Sequence, residues 1–290
     1  MELSVIIVSF NVRDFLRQCL ISAKKTSEKI DYEILVVDNN SVDGSVEMIK
    51  NEFPDVILII NKVNSGFSVA NNQAIKKSGG RFVLLLNPDT LVERDTFSRC
   101  IEFMKYHSDA GAMGIRMIDG EGRFLPESKR AFQTPESAFF KTFGLSFLFP
   151  KSKFLNKYYL PNIDSVETSI TEVISGAFMF IRREALNKSG LLDEDFFMYG
   201  EDIDMSYRLL QTGYNNYYFP EIQIVHFKGK STGRDNFNDV RYFYKAMRVY
   251  VRKRAEEGKY RSCKLPIIIA IYFKEGLAII NRFLRLTFSR

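Results

Sequence analysis

Cysteine and histidine are both scarce in this 290-residue chain, and each scarcity removes a class of chemistry. The three cysteines, Cys19, Cys100 and Cys263, are far apart and odd in number, so they build neither a disulfide framework nor a zinc cluster. A reducing compartment is the natural setting. Two histidines, His107 and His226, leave little imidazole for metal binding. A basic leader is missing: the apolar stretch at residues 5–8 is short and runs into Ser9-Phe10-Asn11. It reads as a strand, and no signal peptide is expected. No Gly-rich phosphate loop stands near the N-terminus, and there is no internal repeat or low-complexity tract. No uninterrupted apolar run reaches the roughly 20 residues of a spanning helix.

What is present suits a folded α/β protein. Hydrophobic residues at 46% and charged residues at 26% exclude wholesale disorder, and the length allows a sizeable core. Charge is unevenly placed. Residues 241–290 hold thirteen Lys/Arg against three Glu, a net of +10 in a chain of +6, which leaves −4 on residues 1–240. A basic tail on a mildly acidic body points to an anionic partner for the tail alone.

Short apolar runs rich in β-formers alternate with helical patterns over the first hundred residues, which predicts βαβ units and a mostly parallel sheet. Strands are expected at 3–9, 33–37, 56–60 and 81–86, with helices at 12–24, 43–51 and 68–77. Further strands are expected at 112–117, 172–181, 217–219 and 222–225, and a helix at 201–211 that ends at Gly213. Residues 123–165 are irregular and aromatic-rich and read as an insertion or acceptor-side region. From residue 238 the chain is helical and basic.

Ligands of open parallel sheets bind beyond the carboxyl ends of the strands. The polar clusters there are Ser9-Phe10-Asn11, Asp38-Asn39-Asn40-Ser41 and Asn87-Pro88-Asp89-Thr90. Any one of them alone is ordinary turn chemistry. Three at one sheet edge make a site.

The segments 36–45, Asn64-Ser65-Gly66-Phe67-Ser68-Val69-Ala70-Asn71-Asn72 and Leu84-Leu85-Leu86-Asn87-Pro88-Asp89-Thr90 resemble landmarks of family 2 glycosyltransferases. Ile174-Ser175-Gly176-Ala177 and Phe196-Phe197-Met198-Tyr199-Gly200-Glu201-Asp202-Ile203-Asp204 match the later ones, in order, over roughly residues 3–235. The resemblance is closest to the rhamnosyltransferase-like branch. It implies a GT-A fold, an inverting mechanism and a nucleotide-sugar donor. It also implies a catalytic domain over 1–237 and a basic helical appendage over 238–290.

The implied roles have physical sense. Asp38 can accept the N3–H of uracil or thymine, whereas a carboxylate would repel the unprotonated N3 of cytosine. The resemblance assigns the nucleotide to Ser9, Asn11, Asp38, Asn40, Asn72 and Asn87, and the donor sugar to Ser175, Gly176 and Ala177. It assigns a divalent cation, Mg²⁺ or Mn²⁺, to Asp89, with His226 as a second ligand. Asn87 stands where the family carries the first acid of its Asp-x-Asp motif, so one carboxylate replaces two. Glu201-Asp202 supplies the catalytic base, placed on Asp202, with Glu201 contacting the acceptor or orienting the helix. The plainer account is that acids favour helix N-termini. Lys129-Arg130 is either a solvated loop pair or faces the phosphates or an anionic acceptor.

Residues 265–280 are apolar except for Lys274-Glu275. Lys264, Lys274, Glu275, Asn281, Arg282 and Arg285 share one sector of a helix, roughly 120° wide at about 100° per residue, with Ile267 and Ile271 intruding. An interfacial helix fits this pattern; a helix packed on the catalytic domain or on a second subunit is the alternative. The function expected is transfer of a sugar, rhamnose by resemblance, from a dTDP- or UDP-sugar to a cell-surface glycan or lipid-linked acceptor. A cytoplasmic protein peripheral on the inner face of the membrane is expected, with no nucleic-acid partner. A nucleotidyltransferase and a catalytically inactive nucleotide- or glycan-binding module remain the alternatives.

Overall fold

The structure, a computed structural model, describes residues 1–26, 30–132, 166–227, 237–258, 261 and 263–288. The aromatic-rich stretch expected as an insertion falls, over 133–165, outside the described residues.

Four parallel strands form the first half of the sheet in the order β3-β2-β1-β4: β1 (Leu3–Ser9), β2 (Tyr32–Asp38), β3 (Ile57–Ile60) and β4 (Phe82–Leu86). Successive side chains of a strand point to opposite faces. Leu3, Val5 and Ile7 accordingly enter one apolar core, and Ile6 and Val8 enter the other. Helix α1 (Arg13–Lys24) brings Leu16, Cys19, Leu20 and Ala23 to the first core at helical spacing. Helix α2 (Ser45–Glu52) adds Met48 and Ile49 to the same side. Helix α3 (Phe67–Lys77) covers the opposite face with Ala70, Ala74 and Ile75.

Beyond β4 the sheet is mixed. Strand β8 (Phe178–Arg182) runs antiparallel to both β4 and β6 (Ala110–Ile118). Strand β9 (Asn215–His226) lies parallel to β6, with β5 (Thr90–Val92) and β7 (Ser169–Thr171) antiparallel to it. The helices here are α4 (Thr96–Tyr106), α5 (Arg183–Ser189) and α6 (Glu201–Gln211).

Two expected elements differ. The strand expected over 172–181 is interrupted: β7 ends at Thr171 and β8 begins at Phe178. The Ile174 amide is taken by Ser206 Oγ (3.1 Å) rather than by a strand, and Phe178 N–H closes a turn on Ser175 O (3.2 Å). The strands expected at 217–219 and 222–225 are one, β9, whose register against β6 slips between Phe219 and Gln223. Pro220, which cannot donate to a ladder, sits within that irregularity.

The C-terminal helices are α7 (Phe237–Glu256) and α8 (Lys264–Phe288). Helix α7 braces α6. Arg254, 2% exposed, donates to Asp204 Oδ1 at 2.7 Å while Arg208 holds Oδ2 at 2.7 Å. The Arg254 guanidinium also stacks 3.9 Å above the Tyr207 ring. Breaking a buried pair of this kind costs about 3–5 kcal/mol, because a charge is left uncompensated. Phe196, Ala246 and Val249 add a small apolar cluster to the same contact. Helix α8 packs on α7 through an Arg248–Glu275 ion pair and through Arg248, 4.3 Å above the Tyr272 ring. Among the described residues, no helix is long and apolar enough to cross a membrane.

Candidate active site

The pairing of Ser9 with Asp38 sets the ends of β1 and β2 side by side. Asp38 is fully buried; its Oδ1 accepts the Ser41 amide at 2.9 Å, and its Oδ2 has no partner. Ser9 Oγ is buried and unpartnered as well. Asn11 (φ 54°) and Asn40 (φ 69°) both adopt the left-handed conformation, which asparagine tolerates better than most residues. The two loops are tied together: Asn11 N–H donates to Ser41 Oγ (2.9 Å), and Asn11 Oδ1 accepts the Val42 amide (2.8 Å). Asn39 donates to Gly66 O at 3.1 Å. Gly66 lies against Phe197 so closely that a Cβ would stand 2.6 Å from its carbonyl oxygen, which ties the second motif to the fifth.

Asn72 lies elsewhere. Its Nδ2 donates to Leu192 O (2.8 Å) and to Glu194 Oε1 (2.9 Å), and its Oδ1 accepts the Leu192 amide (3.0 Å). That carboxamide clasps the loop before α6 and is not brought to the strand ends.

The antiparallel pairing of β5 with β9 sets Thr90 opposite His226 and so brings Asp89 to the histidine. His226 Nε2 lies 3.4 Å from Asp89 Oδ1. Both Asp89 carboxylate oxygens and His226 Nδ1 are buried without a hydrogen-bond partner. Buried polar groups are almost always satisfied, so an anionic, unsatisfied pair of this kind fits a cation. Among the described residues no group of three or more His, Cys, Asp or Glu forms a complete metal cage. A hard cation here would fill its remaining positions with phosphate and water oxygens, as Mg²⁺ and its relatives commonly do.

The Ser175–Ala177 turn joins this corner to α6. Asn87 N–H donates to Ala177 O (3.0 Å), and Gly176 N–H donates to Asp202 Oδ2 (3.2 Å). Gly176 faces the acids closely: a Cβ there would stand 3.4 Å from Asp202 Cβ and 3.9 Å from Glu201 Oε1. Arg130, bridged to Val173, forms an ion pair with Asp202, both side chains being nearly buried at 12% and 13% exposure. Glu201 is buried beside them with Oε2 unpartnered. Burial, and then the charge of Asp202, push its carboxyl up to about 8, against the opposing pull of Arg130. Neighbouring acids thus divide into a carboxylate held by a cation and a carboxyl that keeps its proton at neutral pH.

The pairing of Arg130 with Asp202 was not expected from the sequence, and Lys129 beside it is buried over the Tyr218 ring rather than solvated. A basic residue in an irregular stretch carries no signal of its contact with an acid so distant in the chain.

In fold the chain is similar to Staphylococcus aureus TarS (TM-score 0.59, 18% identity, 88% of this chain and 40% of that one). It is equally similar to the mannosyltransferase PcManGT from Pyrobaculum calidifontis, solved with GDP-Man and Mn²⁺ (TM-score 0.59, 18% identity, 99% of this chain and 74% of that one). The mixed sheet and its flanking helices are those of a GT-A transferase. The chain belongs to glycosyl transferase family 2, whose profile matches residues 4–190, and it is a glycosyltransferase. Relatives include the N-acetylglucosaminyl-diphospho-decaprenol L-rhamnosyltransferase of Mycobacterium tuberculosis, 25% identical over 263 residues (87% of this chain, 84% of the relative). The rhamnosyltransferase WbbL of Escherichia coli is 25% identical over 234 residues, 77% of this chain and 82% of the relative. The likeness to rhamnosyltransferases thus spans most of the chain.

Proposed function

We propose that the protein transfers a sugar, with inversion, from a dTDP- or UDP-activated donor to a hydroxyl of a lipid-linked or cell-surface glycan. Rhamnose is the sugar the relatives favour. The observation that carries this reading is the Ser175–Ala177 turn, hydrogen-bonded at one end to Asn87 of the strand-end motif and at the other to Asp202. Donor corner and acid helix are thereby held on opposite sides of one small-residue turn, which lets a sugar approach the backbone.

The unpartnered Asp38 Oδ2 supports recognition of a pyrimidine N3–H. Ser9, Asn11 and Asn40 flank it. Asp89 and His226 would hold Mg²⁺ or Mn²⁺, which when bound neutralises charge on the leaving diphosphate. Asp202 takes the acceptor's proton as its oxygen attacks the anomeric carbon from the face away from the nucleotide. The protonated Glu201 donates a hydrogen bond beside it. An acceptor carried on a lipid puts the enzyme at a membrane surface, peripheral on its cytoplasmic side.

A thermal-shift screen of nucleotide-sugars with Mn²⁺ or Mg²⁺, followed by transfer assays, tests the reading. A ligand at 100 times its Kd stabilises by about 2.7 kcal/mol. dTDP- or UDP-sugars should raise Tm and turn over. Stabilisation by nucleoside triphosphates with release of pyrophosphate would indicate a nucleotidyltransferase, and binding without turnover an inactive module.

A further inference from the structure

Helix α8 is amphipathic in the inverted sense. A helix on a soluble surface turns its apolar stripe inward and its charges to water. In α8 every charged residue with a described side chain, Lys264, Lys274, Glu275 and Arg282, is partly buried. Glu275 is paired to Arg248 of α7, and burial lowers the pKa of Lys274. Of the apolar residues that intrude on this sector, Ile271 is buried on the same side.

The outward side is predominantly apolar over residues 265–284, with Asn281 a polar residue exposed at its edge. Leu265, Ile269, Phe273, Ile280, Phe283 and Leu284 are all between 44% and 68% exposed. They span about 30 Å at 1.5 Å per residue. A continuous exposed stripe of this length marks an interaction surface rather than scattered surface hydrophobics.

We infer that the outward face of α8 docks on the surface of an anionic lipid bilayer, with the helix lying in the interfacial plane. Charge decides among the occupants. The last fifty residues carry a net of +10, and Arg241, Lys245, Arg252 and Arg261 of this segment are exposed. A second copy meeting the first through α8 would bring two such segments together, whereas an anionic surface attracts them. A large apolar helix face within a strongly basic segment is the composition of interfacial helices. The inference deepens the reading of a lipid-linked acceptor, but its test uses no donor or acceptor and so stands or falls separately.

The test is co-sedimentation of the full chain with vesicles of phosphatidylcholine alone and of phosphatidylcholine with phosphatidylglycerol. The double variant Ile269→Glu/Phe273→Glu, both positions being exposed, should keep its circular dichroism and its melting temperature. The wild type should sediment with the anionic vesicles, less so at high salt. The variant's partition should fall by about tenfold or more, the factor expected when large apolar side chains no longer leave water. Equal sedimentation of wild type and variant, or none for either, would overturn the inference. So would a dimer, seen by light scattering without lipid, that the same substitutions dissociate.

Discussion

His226 Nε2 stands 3.4 Å from Asp89 Oδ1, and neither carboxylate oxygen of Asp89 has a hydrogen-bond partner among the described residues. The contact arises because the three-residue strand β5 pairs antiparallel with the end of β9, with Thr90 opposite His226. In a chain whose motif offers Asn87 where the resemblance implies a second acid, the proposed metal site would take its second donor atom from the histidine.

The first prediction concerns that pair. Loss of a group that merely orients a metal ligand typically costs about 10–100-fold in metal affinity. Loss of a ligand should cost no less. Asp89→Ala and His226→Ala should each raise the Mn²⁺ concentration for half-maximal transfer by about tenfold or more. Metal titrations of activity check it; a His226→Ala titration that overlays the wild type would remove the histidine from the site.

Asp38 gives the second. A hydrogen bond to a charged group is worth about 1.5–3 kcal/mol, or roughly 10- to 100-fold in affinity. Asp38→Asn should weaken uridine or thymidine diphosphate by that factor in calorimetry, with cytidine and guanosine diphosphates binding poorly to the wild type. Equal affinity for all four would end the base-recognition role.

The acid helix was legible in the sequence for physical reasons. Its three acids sit at a helix N-terminus, its apolar residues repeat with helical period, and Gly213 adopts the positive φ of a helix stop. The parallel strands β1, β2 and β4 were equally plain as buried apolar runs. Long-range pairings were not. Strand β5 is too short to show a pattern, so the meeting of Asp89 with His226 rested on resemblance. The Arg130–Asp202 pair depends on tertiary placement of an irregular segment. Asn72 carries a motif position, yet its amide clasps the loop at Leu192–Glu194, which a motif cannot reveal. The polar sector of α8 was visible, but only its packing on α7 determines that the sector faces inward.

The third prediction follows from Glu201, whose carboxyl lies at about 8 in the folded protein against an ordinary 4.5. Between those values the folded state holds a proton that the unfolded chain has lost. The resulting stabilisation is complete below pH 4.5 and declines until pH passes 8. Glu201→Gln abolishes this titration. The wild-type Tm should therefore fall across that window more steeply than the variant's. Parallel Tm–pH curves for the two proteins would contradict the assignment.

Arg130 carries the fourth. Arg130→Met should lower kcat while leaving the donor's Kd near wild type, and Arg130→Lys should recover part of the loss, because a cation again faces Asp202. A rise in donor Kd with kcat unchanged would instead put Arg130 on the phosphates.

If Asp202 is the base of a direct displacement, its removal must show in turnover of Asp202→Asn at saturating donor and metal. The amide keeps the size of the side chain and can still accept the Gly176 amide, but it cannot take a proton from the acceptor at neutral pH. The kcat of Asp202→Asn should fall by at least about 100-fold, the lower range for a general base, with donor affinity little changed. Near wild-type turnover of Asp202→Asn, beside a severe loss in Glu201→Gln, would contradict it.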